Sequence, residues 1–128
     1  MKITKPLLII LLTALLLTAC ANAGPGPEKT VEAYLNAIVS ADENKITTLS
    51  CADWEDSALL ELDSFQGVEV SLVDLQCKQS GTDGDTALVN CSGHFLTSYN
   101  GEETEVKLDA RHFELVQQNG EWLVCGYR

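Results

Sequence analysis

Residues 86–110 read TALVNCSGHFLTSYNGEETEVKLDA, and this stretch decides the fold. Two runs with apolar residues at every second position flank Asn100-Gly101. A tight hairpin turn needs positive φ at both central residues, and Asn-Gly tolerates that best. A two-residue turn there sets Tyr99 opposite Glu102, Phe95 opposite Val106, Gly93 opposite Leu108 and Cys91 opposite Ala110. One apolar face then runs unbroken across both strands, which is what specifies a register.

The same reading extends in both directions. From Gly67 onward the period is two, with strand-like runs at 68–79, 86–99, 105–117 and 121–128. Asp83-Gly84-Asp85, Asn100-Gly101 and Asn119-Gly120 separate them as turns. A three-residue turn at Asp83-Gly84-Asp85 places Cys77 opposite Cys91, Leu75 opposite Gly93 and Val73 opposite Phe95. Beyond Ala110 the apolar parity slips to Phe113 and Leu115, which predicts a bulge near Arg111-His112 that curves the sheet. Before Gly67 the period is helical. Pro27 suits a first helical turn, and Val31, Tyr34, Leu35, Ile38 and Val39 form one stripe. Asp42 is placed to cap a short helix carrying Ile46 and Leu49, and Asp53 to cap a third with Ala58, Leu59, Leu60 and Leu62. The expected fold class is α+β, with N-terminal helices packed on a curved four-stranded antiparallel meander.

The chain has 128 residues, 45% of them hydrophobic, a net charge of -11 and five cysteines. That length supports one domain. The acidic balance excludes a nucleic-acid binder working through a basic groove, because phosphate neutralisation supplies most of the non-specific affinity there. The N-terminus reads as an export signal: Lys2 and Lys5 precede an apolar stretch, residues 7–19, shorter than the ~20 residues a bilayer core requires. It ends in Leu17-Thr18-Ala19-Cys20, which resembles the bacterial lipobox. That resemblance implies cleavage before Cys20 and a diacylglyceryl group on its thiol. The expected division is a signal peptide at 1–19, a lipidated cysteine and Gly/Pro-rich tether at 20–27, and one domain at 28–128. Ala21 is not the aspartate that retains enteric lipoproteins at the inner membrane, so the outer membrane is favoured in a host that has one. Lys2 and Lys5 leave with the signal, making the mature chain more acidic still.

With Cys20 assigned to lipid, Cys51, Cys77, Cys91 and Cys125 remain, an even number in an exported domain. The register makes Cys77–Cys91 a cross-strand disulfide, and Cys51–Cys125 follows by elimination. No two of these cysteines have the C-x₂₋₄-C spacing of a structural zinc site or a redox pair, so neither metal nor cofactor is expected.

Helices first, then a curved meander ending in Gly120-Glu121-Trp122-Leu123-Val124, together with the opening Val31-Glu32-Ala33-Tyr34-Leu35, are similar to the nuclear transport factor 2-like (ketosteroid isomerase-like, cystatin-like fold) superfamily. The resemblance implies a sheet wrapped around the first helix, leaving a conical pocket. It also implies that Tyr34, eight residues before Asp42, stands where ketosteroid isomerases place a tyrosine that hydrogen-bonds an oxyanion. No residue after Asp53 aligns with their carboxylate base. The pocket candidates are Tyr34, His112, Phe95 and Trp122, with His94 expected to face outward by strand parity. Asp83-Gly84-Asp85 is turn chemistry and lacks a calcium ligand ladder, while Glu102, Glu103 and Glu105 form a solvated face. No G-x-S-x-G, H-E-x-x-H or P-loop is present, and no catalytic residue is assigned.

The expected role is therefore a non-catalytic, extracytoplasmic module anchored to the bilayer through Cys20. It would bind a small apolar ligand or an envelope protein, with the sheet face as the place for a homodimer contact. The alternative is a small isomerase- or cyclase-type enzyme using Tyr34.

Overall fold

The computed structural model describes residues 24–128. The expected signal segment, the expected lipidation site Cys20 and the start of the expected tether lie outside the described residues. Three helices come first: α1 (Pro27–Val39), α2 (Glu43–Thr48) and α3 (Glu55–Ser64). Five antiparallel strands follow: β1 (Glu69–Asp83), β2 (Thr86–Tyr99), β3 (Glu102–Lys107), β4 (His112–Gln118) and β5 (Glu121–Tyr127). Among the described residues no helix is long and apolar enough to cross a membrane.

Pro27 opens α1, and the stripe of Val31, Tyr34, Leu35 and Ile38 is buried against the sheet. Asp42 caps α2 by accepting from the Lys45 amide at 3.0 Å, as its sequence position predicts. The cap of α3 differs from expectation. Trp54 holds the N-cap position and no side chain caps it. The Trp54 amide donates to the Cys51 carbonyl at 2.9 Å, so a backbone turn enters this helix and Asp53 stays exposed.

The third predicted strand is broken in two. β3 pairs with residues 94–99 of β2 and β4 with residues 86–90, and residues 108–111 form a turn between them. Ala110 therefore does not pair with Cys91 and is exposed. Leu108 still meets Gly93, donating to its carbonyl at 3.1 Å, and Phe95 pairs with Val106. The break belongs to a crease that crosses the sheet. At the same level β1 shifts register between Val73 and Gln76, where Asp74 takes φ 53°, and Gly93 takes φ 95°. A Cβ on Gly93 would lie 2.5 Å from the Val73 carbonyl oxygen, so only glycine fits there. The crease bends the sheet over α1, the curvature predicted from the parity slip.

Two offsets explain the first hairpin. Asp83 pairs with Thr86 across a two-residue Gly84-Asp85 turn, and a bulge between Gln79 and Gly81 absorbs the missing residue. Cys77 consequently still faces Cys91 and is disulfide-bonded to it. The second bulge then sets Leu72, not Val73, opposite Phe95. Cys51 is bonded to Cys125 with Cα atoms 4.9 Å apart. Beside that bond, the Cys51 amide donates to the Val124 carbonyl, and the Val124 amide to the Leu49 carbonyl, both at 2.8 Å. The helical half is thus stitched to β5 by backbone as well as by sulfur. The core lies between α1 and the concave sheet face, where Val89, Phe95, Leu108, Phe113, Leu115 and Val124 are all fully buried.

Candidate functional site

A cavity of about 610 Å³ opens between α3, the segment leading into β1, the β2–β3 hairpin and the end of β5. Leu60, Phe65, Val68, Val106, Trp54 and Tyr127 supply apolar wall; Ser57, Ser64, Thr97, Glu61 and Arg111 supply polar groups. That size and mixture suit a small-molecule pocket.

Its polar floor is one connected network. The Tyr34 ring belongs to the buried α1 stripe, with no exposed surface. Its hydroxyl donates to Glu61 Oε2 at 3.1 Å and accepts from Trp54 Nε1 at 3.3 Å. The other Glu61 oxygen accepts from Arg111 Nη1, forming an ion pair whose side chains are only 9% and 18% exposed respectively. The Arg111 guanidinium also lies 4.6 Å over the Tyr127 ring, a cation–π contact. Tyr127 meets Trp54 and Phe113 edge-on at 5.5 and 5.6 Å. Burial drives the Tyr34 hydroxyl pKa well above the ordinary tyrosine value, and the Glu61 charge adds to this, so the phenol stays protonated.

Each element places its contributor for a local reason. Glu61 sits on α3 between exposed Leu60 and buried Leu62, at the boundary of the helix's apolar side. Arg111 is the last residue of the turn that breaks the third strand, its amide donating to the Leu108 carbonyl at 3.0 Å. Without that break Arg111 would be a strand residue.

The predicted pocket residues do not converge as expected. Tyr34 reaches the cavity from beneath, through Glu61 and Trp54. Phe95 is fully buried and packs on Phe65 with ring centroids 4.9 Å apart. Trp122 lines a different groove, with Pro25, Thr30 and Leu49. His112 is exposed, because it precedes buried Phe113 and strand alternation turns it to the other face; its backbone exchanges hydrogen bonds with Arg128 at 3.0 Å. His94 stands 3.5 Å from Glu105, and Asp83 pairs with Arg128 at 3.3 Å. Glu61 and Arg111, the charged members of the site, carry no sequence signature. They lie 50 residues apart, and neither belongs to a motif. Among the described residues no group of three His, Cys, Asp or Glu side chains is arranged to hold a metal ion.

No protein-family model and no curated protein matches the chain. Solved structures do. A candidate ketosteroid isomerase from Shewanella frigidimarina superposes with a TM-score of 0.56 at 13% identity, covering 83% of this chain and 95% of its own. A candidate dehydratase of the NTF2-like family from Streptomyces avermitilis gives 0.55 at 14% identity, with 78% and 90% covered. The fold is nuclear transport factor 2-like. A candidate polyketide cyclase from Pseudomonas putida agrees, with a TM-score of 0.52 at 16% identity over 82% of this chain and 92% of its own. Identities this low establish the nuclear transport factor 2-like architecture and leave the chemistry to the site.

Proposed function

We propose that this chain is a membrane-tethered, extracytoplasmic, non-catalytic binding module that holds a small amphipathic molecule in the 610 Å³ cavity. The observation that carries this reading is the commitment of the site's ionisable groups to one another. Tyr34 is sealed beneath the floor, and both Glu61 oxygens are occupied, one by Tyr34 and one by Arg111. A general base must be oriented toward the proton that it abstracts. Here each Glu61 oxygen already accepts a hydrogen bond from a group of the fold, which orients the carboxylate toward Tyr34 and Arg111. The remaining wall is mostly apolar, with the hydroxyls of Ser57, Ser64, Thr97 and Tyr127, which favours retention of a ligand over its turnover. Cys20 supplies the anchor, on the outer face of the membrane and in the outer membrane where the host has one. An envelope protein or a second copy would meet the sheet face.

One observation favours the enzyme reading: a carboxylate lines the cavity in contact with Tyr34. The structural neighbours named as candidate isomerase, dehydratase and cyclase make such chemistry the natural competitor. Titration with the apolar fluorophore 1-anilinonaphthalene-8-sulfonate separates the cases. Saturable one-to-one binding that disappears in Val106→Trp, where the indole fills the cavity, supports a binding module. Equal binding by wild type and the filled variant, each with native circular dichroism, rules the cavity out as the binding site. Turnover of a ketosteroid or related enolisable ketone, abolished by Glu61→Gln, would replace the binding reading with the enzyme one.

A further inference from the structure

Gly24 and Pro25 line a groove of about 300 Å³ with Thr30, Leu49, Gly120 and Trp122. The part of the tether nearest the domain therefore lies along the fold, against the turn between β4 and β5. Only Cys20 to Ala23 remains to bridge to the lipid, and four residue steps reach at most about 14 Å. The groove end of the domain is held within that distance of the bilayer surface.

Two rods run from this groove to the ligand cavity. Helix α1 begins beside the groove, which Thr30 lines, and rises about 20 Å over its 13 residues. Its last turn, Ile38 and Val39, lines a cavity of about 360 Å³ that shares Phe65 and Val68 with the main one. Strand β5 makes the same journey. Glu121 and Trp122 line the groove, Tyr127 lines the main cavity, and six residue steps of strand separate the ends by about 20 Å. A helix and a strand thus agree that the groove and the cavity occupy opposite ends of the domain.

We infer that the groove end, with Trp122 at its rim, rests on the lipid headgroups, and that the cavity opens away from the bilayer into the aqueous compartment. This inference rests on the lipid anchor at Cys20 proposed above. Trp122 suits such a position, since a half-buried indole offers an apolar face and one N–H donor to the interface. The consequence is a supply route: the ligand enters from water or from a soluble carrier, not from the lipid beneath.

The chain's two tryptophans report the two ends, because Trp54 packs on the Gly126–Tyr127 end of β5, about 15 Å from Trp122. Lipidated full-length protein is bound to vesicles of phosphatidylethanolamine and phosphatidylglycerol carrying dansyl-phosphatidylethanolamine. Energy transfer from tryptophan to dansyl is then measured in Trp54→Phe and in Trp122→Phe. Transfer several-fold greater from Trp122 than from Trp54 is expected. Should Trp54→Phe fail to fold, wild type against Trp122→Phe gives the same difference. Equal transfer, or greater transfer from Trp54, in a chain that floats with the vesicles overturns the orientation alone. A chain that does not float, and whose mass shows no diacylglyceryl on Cys20, overturns the anchor and the orientation with it.

Discussion

Replacing Glu61 by Gln keeps the side chain's shape while removing the charge that joins the floor of the cavity. Three costs follow from the geometry. The Arg111 hydrogen bond loses its ionised acceptor and becomes a weaker guanidinium-to-amide bond, a loss of about 1 kcal/mol. The amide nitrogen of Gln cannot accept, so with it turned toward Tyr34 the buried hydroxyl loses its acceptor, at about 1–3 kcal/mol. Arg111 is left without a counter-charge. Breaking a buried pair costs about 3–5 kcal/mol when burial is complete, and the 18% exposure of Arg111 reduces that share. Because these costs overlap, the net destabilisation is about 2–4 kcal/mol, which for a domain of this size lowers Tm on the order of 10–20 °C. Urea unfolding followed by circular dichroism measures it, with an unchanged dependence on urea showing that only stability moved. Arg111→Met removes the stranded charge, so the double variant should be less destabilised than the two singles added, by about 1–3 kcal/mol. Glu61→Gln within about 0.5 kcal/mol of wild type, or strict additivity, would refute the network as a stabilising unit.

Two further outcomes are expected. Since the fold holds the Tyr34 proton more tightly than the unfolded chain does, its contribution is complete below pH 10. Above that the unfolded state alone loses the proton, and stability falls by up to about 1.4 kcal/mol per pH unit; urea midpoints between pH 9 and 11 should show this slope diminished in Tyr34→Phe, and an identical slope there would dismiss the argument. Removing Cys77–Cys91 as paired serines should cost about 3 kcal/mol and removing Cys51–Cys125 about 4.4 kcal/mol, from loops closed by separations of 14 and 74 residues. Equilibrium unfolding of the two double variants tests that order, and non-reducing peptide maps test the pairing itself.

Much of the architecture was legible because it is written in periodicities and turn residues. The α1 stripe, the Asp42 cap, the Asn-Gly turns and the Cys77–Cys91 register all depend on residues close in sequence or directly opposed on neighbouring strands. The errors share a cause. A bulge changes register by one residue without altering composition, so the bulge at Gln79–Gly81 hid a shorter turn, and the crease at Asp74, Gly93 and 108–111 split a strand that alternation alone read as continuous. His112 was assigned to the pocket by apolar neighbours; at the first position of β4 its parity points it to solvent.

The site was less legible than the fold, and the reason is physical. Glu61 on a helix border and Arg111 in a turn are each ordinary surface-type residues, and nothing local announces that they will face one another across 50 residues. The amino-acid sequence by itself determined the order of helices before strands, the disulfide framework and an acidic composition incompatible with a basic nucleic-acid groove, because hydrophobic period, turn stereochemistry and charge are local or additive properties. Only the tertiary structure decided that Tyr34 is locked beneath the cavity and that Glu61 and Arg111 neutralise each other. It also set Trp122 in a groove with Gly24 and Pro25, apart from the cavity that Glu61 and Arg111 line. Those are consequences of how a creased sheet closes over α1, and closure is a property of the whole chain.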